Sequence, residues 1–285
     1  MTIVATEQLS TSQQREVEVL EEVVRDEEGQ QSRLFLSNRL NWDPLIPCFF
    51  LGYHSRRLVS VLSAFFPTTE EVEFSGFTHP EYRNRGFFSL LVKRALAQYA
   101  TLPFSHALFT AEATVASGQA YLASRYPAIE RSEYLMSLER ADHKPVAQSG
   151  TLKAVTHLNG EEAARLMSKI FFSDLQRSRE RVSLMLLEEG RKVFLYYRRG
   201  LAIGVLNAQR NAPDTYMIYG VGIAEQHRSQ GHGKAMMHLA LTELFTEAAT
   251  LTLEVESTNT HAITLYAGLG FRPVMQMDYH RLSLR

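Results

Sequence analysis

The sequence Tyr219-Gly-Val-Gly-Ile-Ala-Glu-Gln-His-Arg-Ser-Gln-Gly-His-Gly-Lys-Ala-Met-Met237 joins three kinds of local signal. Residues 218–223 form a short apolar run typical of a strand, and the apolar residues after Gly233 recur at helical spacing. Arg228-x-x-Gly231-x-Gly233 lies between them. The first N–H groups of a helix have no partner within it, and the helix dipole favours an anion there. The stretch therefore predicts a strand, a phosphate-binding turn and a helix.

Two kinds of phosphate loop fit this position, a Rossmann dinucleotide loop and a coenzyme A pyrophosphate loop. The Rossmann fingerprint G-x-G-x-x-G needs a third glycine and a later acid for the ribose, and both are missing here. A Walker loop would require G-x-x-x-x-G-K-[ST], which does not occur in this stretch. The residues that follow the helix therefore decide the interpretation.

After the helix come a predicted strand at 251–256, a helix start at Ser257-Thr-Asn259, and Ala262-Ile-Thr-Leu-Tyr266-Ala-Gly-Leu-Gly-Phe271. In this order the sequence resembles the GNAT superfamily of acyl-CoA N-acetyltransferases. The shared pattern is a strand, R-x-x-G-x-G, a helix, a strand, N-x-x-A-x-x-L-Y, and G-F before a last strand. The resemblance covers the last half of the chain well and the first half more weakly.

The resemblance implies an acyltransferase that moves an acetyl group from acetyl-CoA, its co-substrate, to a primary amine of a small molecule or peptide. It implies no metal. Main-chain groups of Val221, Gly222 and Ile223 should bond the pantetheine as an added strand would. The remaining residues expected to bind the coenzyme, mostly around its pyrophosphate, are Arg228, Ser229, Gln230, Gly231, His232, Gly233, Lys234 and Asn259.

Two side chains are candidates for the proton transfers that acetyl transfer needs. The resemblance implies that Glu254 is the base, directly or through a water molecule, with Glu256 in reserve. Glu254 can equally be an outward-facing strand carboxylate, because its apolar neighbours along the strand take the inward face. Tyr266 is the candidate acid for the departing thiolate, and its alternative role is that of a core aromatic. A non-catalytic acyl-CoA-binding sensor or scaffold would need neither residue.

The C-terminal pattern recurs earlier in the chain at a constant offset. Arg83 and Arg228 are 145 positions apart, and so are Gly86 and Gly231. We therefore predict two tandem GNAT-like domains of the α/β (α+β) class, each a mixed, mostly antiparallel twisted sheet flanked by helices. The predicted domains span residues 1–140 and 151–285. Residues 141–150 are polar, contain proline and glycine, and are predicted to form a linker.

The two predicted domains differ in chemistry. The first has Phe88 where the second has Gly233, Thr114 in place of Asn259, and Phe109 in place of Glu254. A benzyl group at the helix start either obstructs the pyrophosphate or points aside into the core. We therefore expect the C-terminal domain to be catalytic and the N-terminal domain to be a degenerate copy.

The composition narrows the function classes. There are 30 basic and 31 acidic residues, a formal net charge of −1, which argues against a general nucleic-acid or anionic-membrane binder. The single cysteine, Cys48, excludes an intrachain disulfide and is expected to be buried. No secretory signal or long apolar run is evident, so a cytoplasmic location is expected. The oligomeric state and the identity of the acceptor stay open.

Several local expectations complete the prediction. Ser10 and Asp174 are predicted N-caps, and Asn159-x-x-Glu162 is predicted to form a capping box. Residues 32–47 are predicted to contain a short helix followed by a loop. His227, His232 and His238 are interpreted as surface histidines because none has metal-ligand spacing to a carboxylate or cysteine.

Overall fold

A computed structural model describes residues 1–284 and shows two compact units. Unit 1 consists of Met1–Glu133 together with the C-terminal residues from Met275 onward, and unit 2 consists of Tyr134–Val274. None of the helices in residues 1–284 is long and apolar enough to cross a membrane. In chain order the regular elements are β1 (Thr2–Thr6), α1 (Thr11–Glu28), β2 (Phe49–His54), β3 (Arg57–Phe65), β4 (Glu71–Thr78), α2 (Phe87–Tyr99), β5 (His106–Glu112), α3 (Ala116–Arg125), β6 (Ile129–Glu139), β7 (Thr151–Ala154), α4 (Gly160–Ile170), α5 (Leu175–Leu187), β8 (Arg191–Arg198), β9 (Leu201–Ala212), β10 (Thr215–Ile223), α6 (His232–Leu244), β11 (Thr250–Glu256), α7 (Thr260–Ala267) and β12 (Arg272–Ser283).

Unit 1 is a mixed sheet with the strand order β1-β2-β3-β4-β5-β12. Its strands pair antiparallel except for β4 and β5, which are parallel. One face packs on α2 through a core that includes Leu91, Ala95 and Phe109. The other face packs on α1, whose apolar positions include Val17 and Leu20.

Unit 2 repeats this plan with the strand order β6-β11-β10-β9-β8-β7, in which β10 and β11 are parallel. Residues of α6 and α7 form one core with the sheet, including Met236, Leu241 and Tyr266. Residues of α4 and α5 form a second core, including Met167 and Val182. Both units are therefore mixed, mostly antiparallel sheets flanked by helices, and the predicted fold class is confirmed.

The motif regions of the two units match at the predicted offset. The helices α2 and α6 are displaced by 145 residues at both ends, as are the short 3₁₀ turns Pro80–Tyr82 and Glu225–His227. Gly86 and Gly231, which precede the helices, both have φ of 78°. The same local sequence pattern thus produces the same strand, turn and helix twice.

The compact units differ from the predicted domains near the chain end. The residues of β6 from Tyr134 belong to unit 2, and those of β12 from Met275 belong to unit 1. The reason for the second assignment is that β12 pairs antiparallel with β5, from Met277 opposite Glu112 to Ser283 opposite His106. Residues 143–150 contain no helix or strand. The domains 1–140 and 151–285 and the linker between them remain our proposal for the sequence repeat.

The local predictions have mixed outcomes. Ser10 caps α1 with a complete capping box, and Asp174 caps α5. The capping box at Asn159 is wrong, because its side chain accepts from the Thr156 N–H, and Glu162 accepts from the Tyr197 hydroxyl.

Two further predictions need correction. No helix forms in residues 29–48, and the buried Asn41 instead ties this segment to the sheet by accepting from the Phe66 N–H. His238 is buried, because its position on α6 turns into the core. Cys48 is fully buried, as predicted, and burial raises its pKa to about 12.

Candidate functional site

The candidate site in unit 2 lies where two parallel strands separate. β10 and β11 pair from Thr215 opposite Thr250 to Ile218 opposite Leu253, and the pairing ends there. On its other edge β10 continues to pair with β9 as far as Ile223. Within residues 1–284 the edge of β10 that faces β11 therefore has no strand partner over residues 219–223, which include the predicted pantetheine contacts Val221, Gly222 and Ile223, and only the Ile223 carbonyl is bonded, to the Arg228 side chain.

A β-bulge reshapes β10 at this point. The register with β9 shifts between Tyr219 and Gly222, and Gly220 has φ of 57°. A Cβ on Gly220 would lie 2.3 Å from the Asn207 Nδ2, and one on Gly222 would lie 2.3 Å from the Ile170 Cγ2. Both positions therefore require glycine because a side chain would collide with these atoms. Gly220 also requires it because its φ is positive. β4 of unit 1 pairs with β3 without such a shift.

The turn after β10 leaves the start of α6 uncapped. Gly231 is the N-cap residue and supplies no side chain, and the first helical bond runs from the Ala235 N–H to the Gly231 carbonyl. The N–H groups of His232, Gly233 and Lys234 consequently have no helical partner. Such groups, with the helix dipole behind them, bind phosphate oxygens. The predicted pyrophosphate residues thus include three free N–H groups at the start of a helix, the geometry that an anion site requires.

Side chains around this turn have separate roles. The Arg228 Nε donates to the Ile223 carbonyl at 3.0 Å and so ties the turn to the end of β10. The Gln230 side chain donates to the Gln226 carbonyl at 3.2 Å. Both side chains brace the turn, and the exposed Ser229 and Lys234 are open to solvent.

One basic residue near the turn, Arg198, is not among the coenzyme-binding residues predicted from the sequence. The ring centroids of Tyr196 and His232 lie 6.1 Å apart, which places the end of β8 beside the start of α6. The pKa of His232 is lowered by burial and then by the charges of Arg198 and His227. Arg198 is therefore close enough to attract an anion at α6. No local signal in the sequence links these distant positions.

The candidate bases lie just beyond the point where the strands separate. Glu254 follows Leu253, the last paired residue of β11, and both Glu254 and Glu256 are exposed whereas Val255 is buried. Glu256 accepts from the Thr258 hydroxyl at 2.6 Å. The alternation agrees with an outward-facing strand carboxylate, and the same position puts Glu254 at the opening between the strands.

Tyr266 is 8% exposed and packs in the core beside Phe271, with ring centroids 6.1 Å apart. Its hydroxyl makes no hydrogen bond with residues 1–284. Burial raises its pKa, so the phenol is protonated at neutral pH. The residue thus combines a core ring with a hydroxyl that has no partner within the described chain.

The loop, the end of β10 and helix α7 meet at Gly233. A Cβ built on Gly233 would lie 3.9 Å from both the Ile223 Cγ1 and the Leu265 Cδ2. Asn259 caps α7 by accepting from the Ala262 N–H at 3.1 Å, as its sequence position suggested. The structure thus brings together the predicted pyrophosphate turn, the pantetheine strand and the helix that carries Tyr266.

In unit 1 the corresponding gap is filled by an aromatic ring. The Phe88 Cε2 lies 2.8 Å from where a Cβ on Gly76 would be, and the Phe88 ring meets the Tyr121 ring edge-on at 5.1 Å. The ring therefore lies between β4 and α3 and does not cover Gly86 at the helix start. Of the two orientations predicted for Phe88, the structure has the one in which the ring points aside into the core of unit 1.

Comparisons with known proteins identify a related family and related folds. Residues 160–271 match the family model described as Acetyltransferase (GNAT) family. No curated protein matches the chain in sequence.

Solved structures resemble the chain over nearly its whole length. A GCN5-related N-acetyltransferase from Sphaerobacter thermophilus has a TM-score of 0.78 at 15% identity, covering 99% of this chain and 96% of that one. A GNAT-family acetyltransferase from Colwellia psychrerythraea has a TM-score of 0.72 at 12% identity, covering 99% and 100%. A tandem GNAT protein from the clavulanic acid biosynthesis pathway has a TM-score of 0.72 at 14% identity, covering 100% and 99%. The whole chain therefore has the fold of GNAT proteins, and its residues 160–271 match the GNAT acetyltransferase family in sequence.

Proposed function

We propose that unit 2 is an N-acyltransferase that uses acetyl-CoA to acetylate a primary amine. The observation that carries the proposal is the combination at one place of an unpaired strand edge and an uncapped helix start. The first offers main-chain groups over residues 219–223, and the second offers the N–H groups of residues 232–234. A ligand that has an amide-bearing arm and a pyrophosphate, such as coenzyme A, matches both.

The roles of the binding residues follow from this match. Val221, Gly222 and Ile223 would bond the pantetheine amides through their main-chain groups. The turn from Arg228 to Lys234 would hold the pyrophosphate, with Arg198 adding positive charge beside His232. Asn259, which fixes the start of α7, keeps that helix next to the bound arm.

The chemistry requires two proton transfers. Bound acetyl-CoA supplies an activated thioester carbonyl. Glu254, or Glu256 in its place, takes a proton from the ammonium form of the acceptor, and the freed nitrogen lone pair forms the C–N bond. As the C–S bond breaks, Tyr266 gives its proton to the sulfur. The second proton from nitrogen then replaces the one that Tyr266 gave, and the glutamate releases its proton to solvent.

The test is coenzyme A release when acetyl-CoA is mixed with the protein and a panel of primary amines, followed with a thiol reagent. Tyr266→Phe should lower turnover on a productive amine by about 10²- to 10⁴-fold, because only the proton donor is lost. Its affinity for acetyl-CoA should change little, since the pyrophosphate turn is intact.

Tyr126→Phe is the control, because it removes a hydroxyl from a half-buried tyrosine of unit 1. Its turnover should equal that of the wild type. An unchanged rate for Tyr266→Phe would remove Tyr266 from the mechanism. Binding of acetyl-CoA without release on any amine would favour the non-catalytic sensor or scaffold.

A further inference from the structure

The turn between α4 and α5 presents two consecutive phenylalanines beside the candidate site of unit 2. Phe171 ends α4, and its N–H donates to the Met167 carbonyl at 2.9 Å. Phe171 is 40% exposed, and Phe172, the next residue, is 81% exposed. Exposed apolar side chains that are contiguous, unlike isolated ones, mark places where another molecule binds. The two rings therefore require an explanation beyond core packing.

The ring of Phe171 lies over the β-bulge of β10. Its Cζ is 3.3 Å from where a Cβ on Gly222 would be and 3.9 Å from where one on Gly220 would be. The two glycines therefore make room for the ring. Both glycines belong to residues 219–223, the part of β10 that has no strand partner on its β11 side within residues 1–284. A partly exposed apolar ring thus borders the place where the pantetheine arm is proposed to lie.

The candidate base faces the same side of the sheet as this ring. Leu253 and Val255 belong to the core formed with α6 and α7, so the alternating side chain of Glu254 points to the opposite face. That opposite face of the sheet packs on α4 and α5. Leu253 pairs with Ile218, so Glu254 follows at the level of the bulge, where the strands begin to separate from a spacing of about 5 Å. The carboxylate and the Phe171 ring consequently flank the same opening.

The turn holds Phe172 in a strained conformation. Its φ is 50°, in the left-handed region that phenylalanine rarely adopts. The Ser173 N–H donates to the Ser168 carbonyl at 3.1 Å, and the Ser168 hydroxyl donates to the Ser173 carbonyl at 2.7 Å. The Asp174 side chain accepts from the Arg177 N–H at 3.0 Å and so caps α5. The polar groups of the turn thus fix its shape and leave the two rings as the surface it presents. Backbone strain imposed in this way clusters at ligand sites.

Building on the function proposed for unit 2, we propose that its amine acceptor carries an apolar substituent that packs on Phe171 and Phe172. The nitrogen would lie beside Glu254, and the substituent would extend along the sheet face toward the turn between α4 and α5. A primary alkyl or arylalkyl amine matches this surface, because burial of its carbon chain against the rings removes apolar area from water. A polyamine would instead place further ammonium groups against the rings and lose their hydration.

Calorimetric titration of the full chain in the presence of coenzyme A tests the proposal with hexylamine and 1,6-diaminohexane. The two amines have the same carbon chain, and only the second ends in another charged group. Hexylamine should bind at least about 10-fold more tightly, because its free end can be buried without loss of hydration.

Two matched variants locate the effect. Phe172→Asn should reduce the preference for hexylamine, because it removes the exposed ring. Asparagine tolerates the left-handed backbone, so this variant should fold. Leu158→Asn removes an apolar side chain that is 99% exposed and precedes the other end of α4, and it should keep the wild-type preference.

The titration needs no turnover, so it distinguishes the apolar acceptor from the acetyl transfer itself. Preferred binding of hexylamine with release of coenzyme A from acetyl-CoA would support both. Preferred binding without release would support the apolar amine site and contradict the transfer. Equal affinity for the two amines, tighter binding of 1,6-diaminohexane, no binding of either, or an unchanged preference in Phe172→Asn would refute the apolar acceptor. A lower molecular mass in solution for Phe172→Asn than for the wild type would show that a second copy covers the rings and would refute it as well.

Discussion

The half-buried carboxyl group of Glu73 in unit 1 is expected to make the protein less stable as the pH rises. Glu73 lies on β4 beside Arg131, with an Oε1 to Nη2 distance of 2.9 Å. Arg131 also pairs with Glu71 at 3.7 Å and Glu133 at 3.1 Å, so one guanidinium serves three carboxylates. Burial, partly offset by Arg131 and reinforced by Glu71 and Glu133, raises the pKa of Glu73 from 4.5 to about 7.

The direction of this pH dependence follows from the linkage between protonation and folding. The folded state holds the proton of the Glu73 carboxyl group more tightly than the unfolded state does. The resulting contribution to stability is therefore fully present below pH 4.5 and is lost as the pH rises through about 7. The difference between the folded and unfolded pKa values of Glu73 corresponds to about 3 kcal/mol of unfolding free energy. About 2 kcal/mol of this is lost between pH 5.5 and pH 8.5. Glu73→Gln cannot titrate and can still accept from Arg131, so it should lack this pH dependence.

The assay is urea unfolding of wild type and Glu73→Gln at pH 5.5 and pH 8.5. From pH 5.5 to pH 8.5, the unfolding free energy of the variant should rise by about 2 kcal/mol relative to that of the wild type. Comparing the two proteins cancels the titration of groups that do not interact with Glu73. Glu70→Gln, at an exposed neighbouring position, should behave as the wild type does. An equal pH dependence for wild type and Glu73→Gln would refute the assignment of a raised pKa to Glu73.

Two further predictions concern the site of unit 2. Glu254→Gln should lower turnover. The loss should be relieved at high pH, because the free amine then forms without a base. A loss of turnover that is the same at every pH would show that Glu254 is not the base. Calorimetry should find one acetyl-CoA per chain for the wild type and none for Gly233→Phe, which places a ring beside Ile223 and Leu265. Gly233→Ala should still bind, because its Cβ would meet those side chains only at 3.9 Å; two equivalents bound to the wild type would reopen unit 1 as a coenzyme site.

Local sequence determined the repeated core of the fold. Glycine and polar residues between an apolar run and a helical pattern produce the same turn at Gly86 and Gly231, because their causes lie within a few residues. The alternation that buries Leu253 and Val255 and exposes Glu254 is likewise a property of the strand itself. Consequently the fold class and the cap at Asn259 were predictable from the sequence.

Tertiary structure alone decided the features that join distant residues. The approach of Arg198 to His232 depends on how β8 and α6 pack. The hydrogen bonds of Glu28 with Arg83 and Ser117 depend on the end of α1 lying beside the turn and the start of α3. The sequence limited Phe88 to two orientations, and packing against Gly76 and Tyr121 selected one.

The last strand, β12, shows the same contrast between what local sequence predicts and what tertiary structure decides. Its apolar and polar pattern predicts a strand, but that pattern is compatible with more than one sheet edge. Pairing of β12 with β5 assigns it to unit 1, because hydrogen bonds along a strand edge are satisfied by whichever strand the folded chain places alongside. Sequence thus determined the elements and the uncapped helix start at Gly231, whereas long-range pairing and packing determined which distant residues lie beside them.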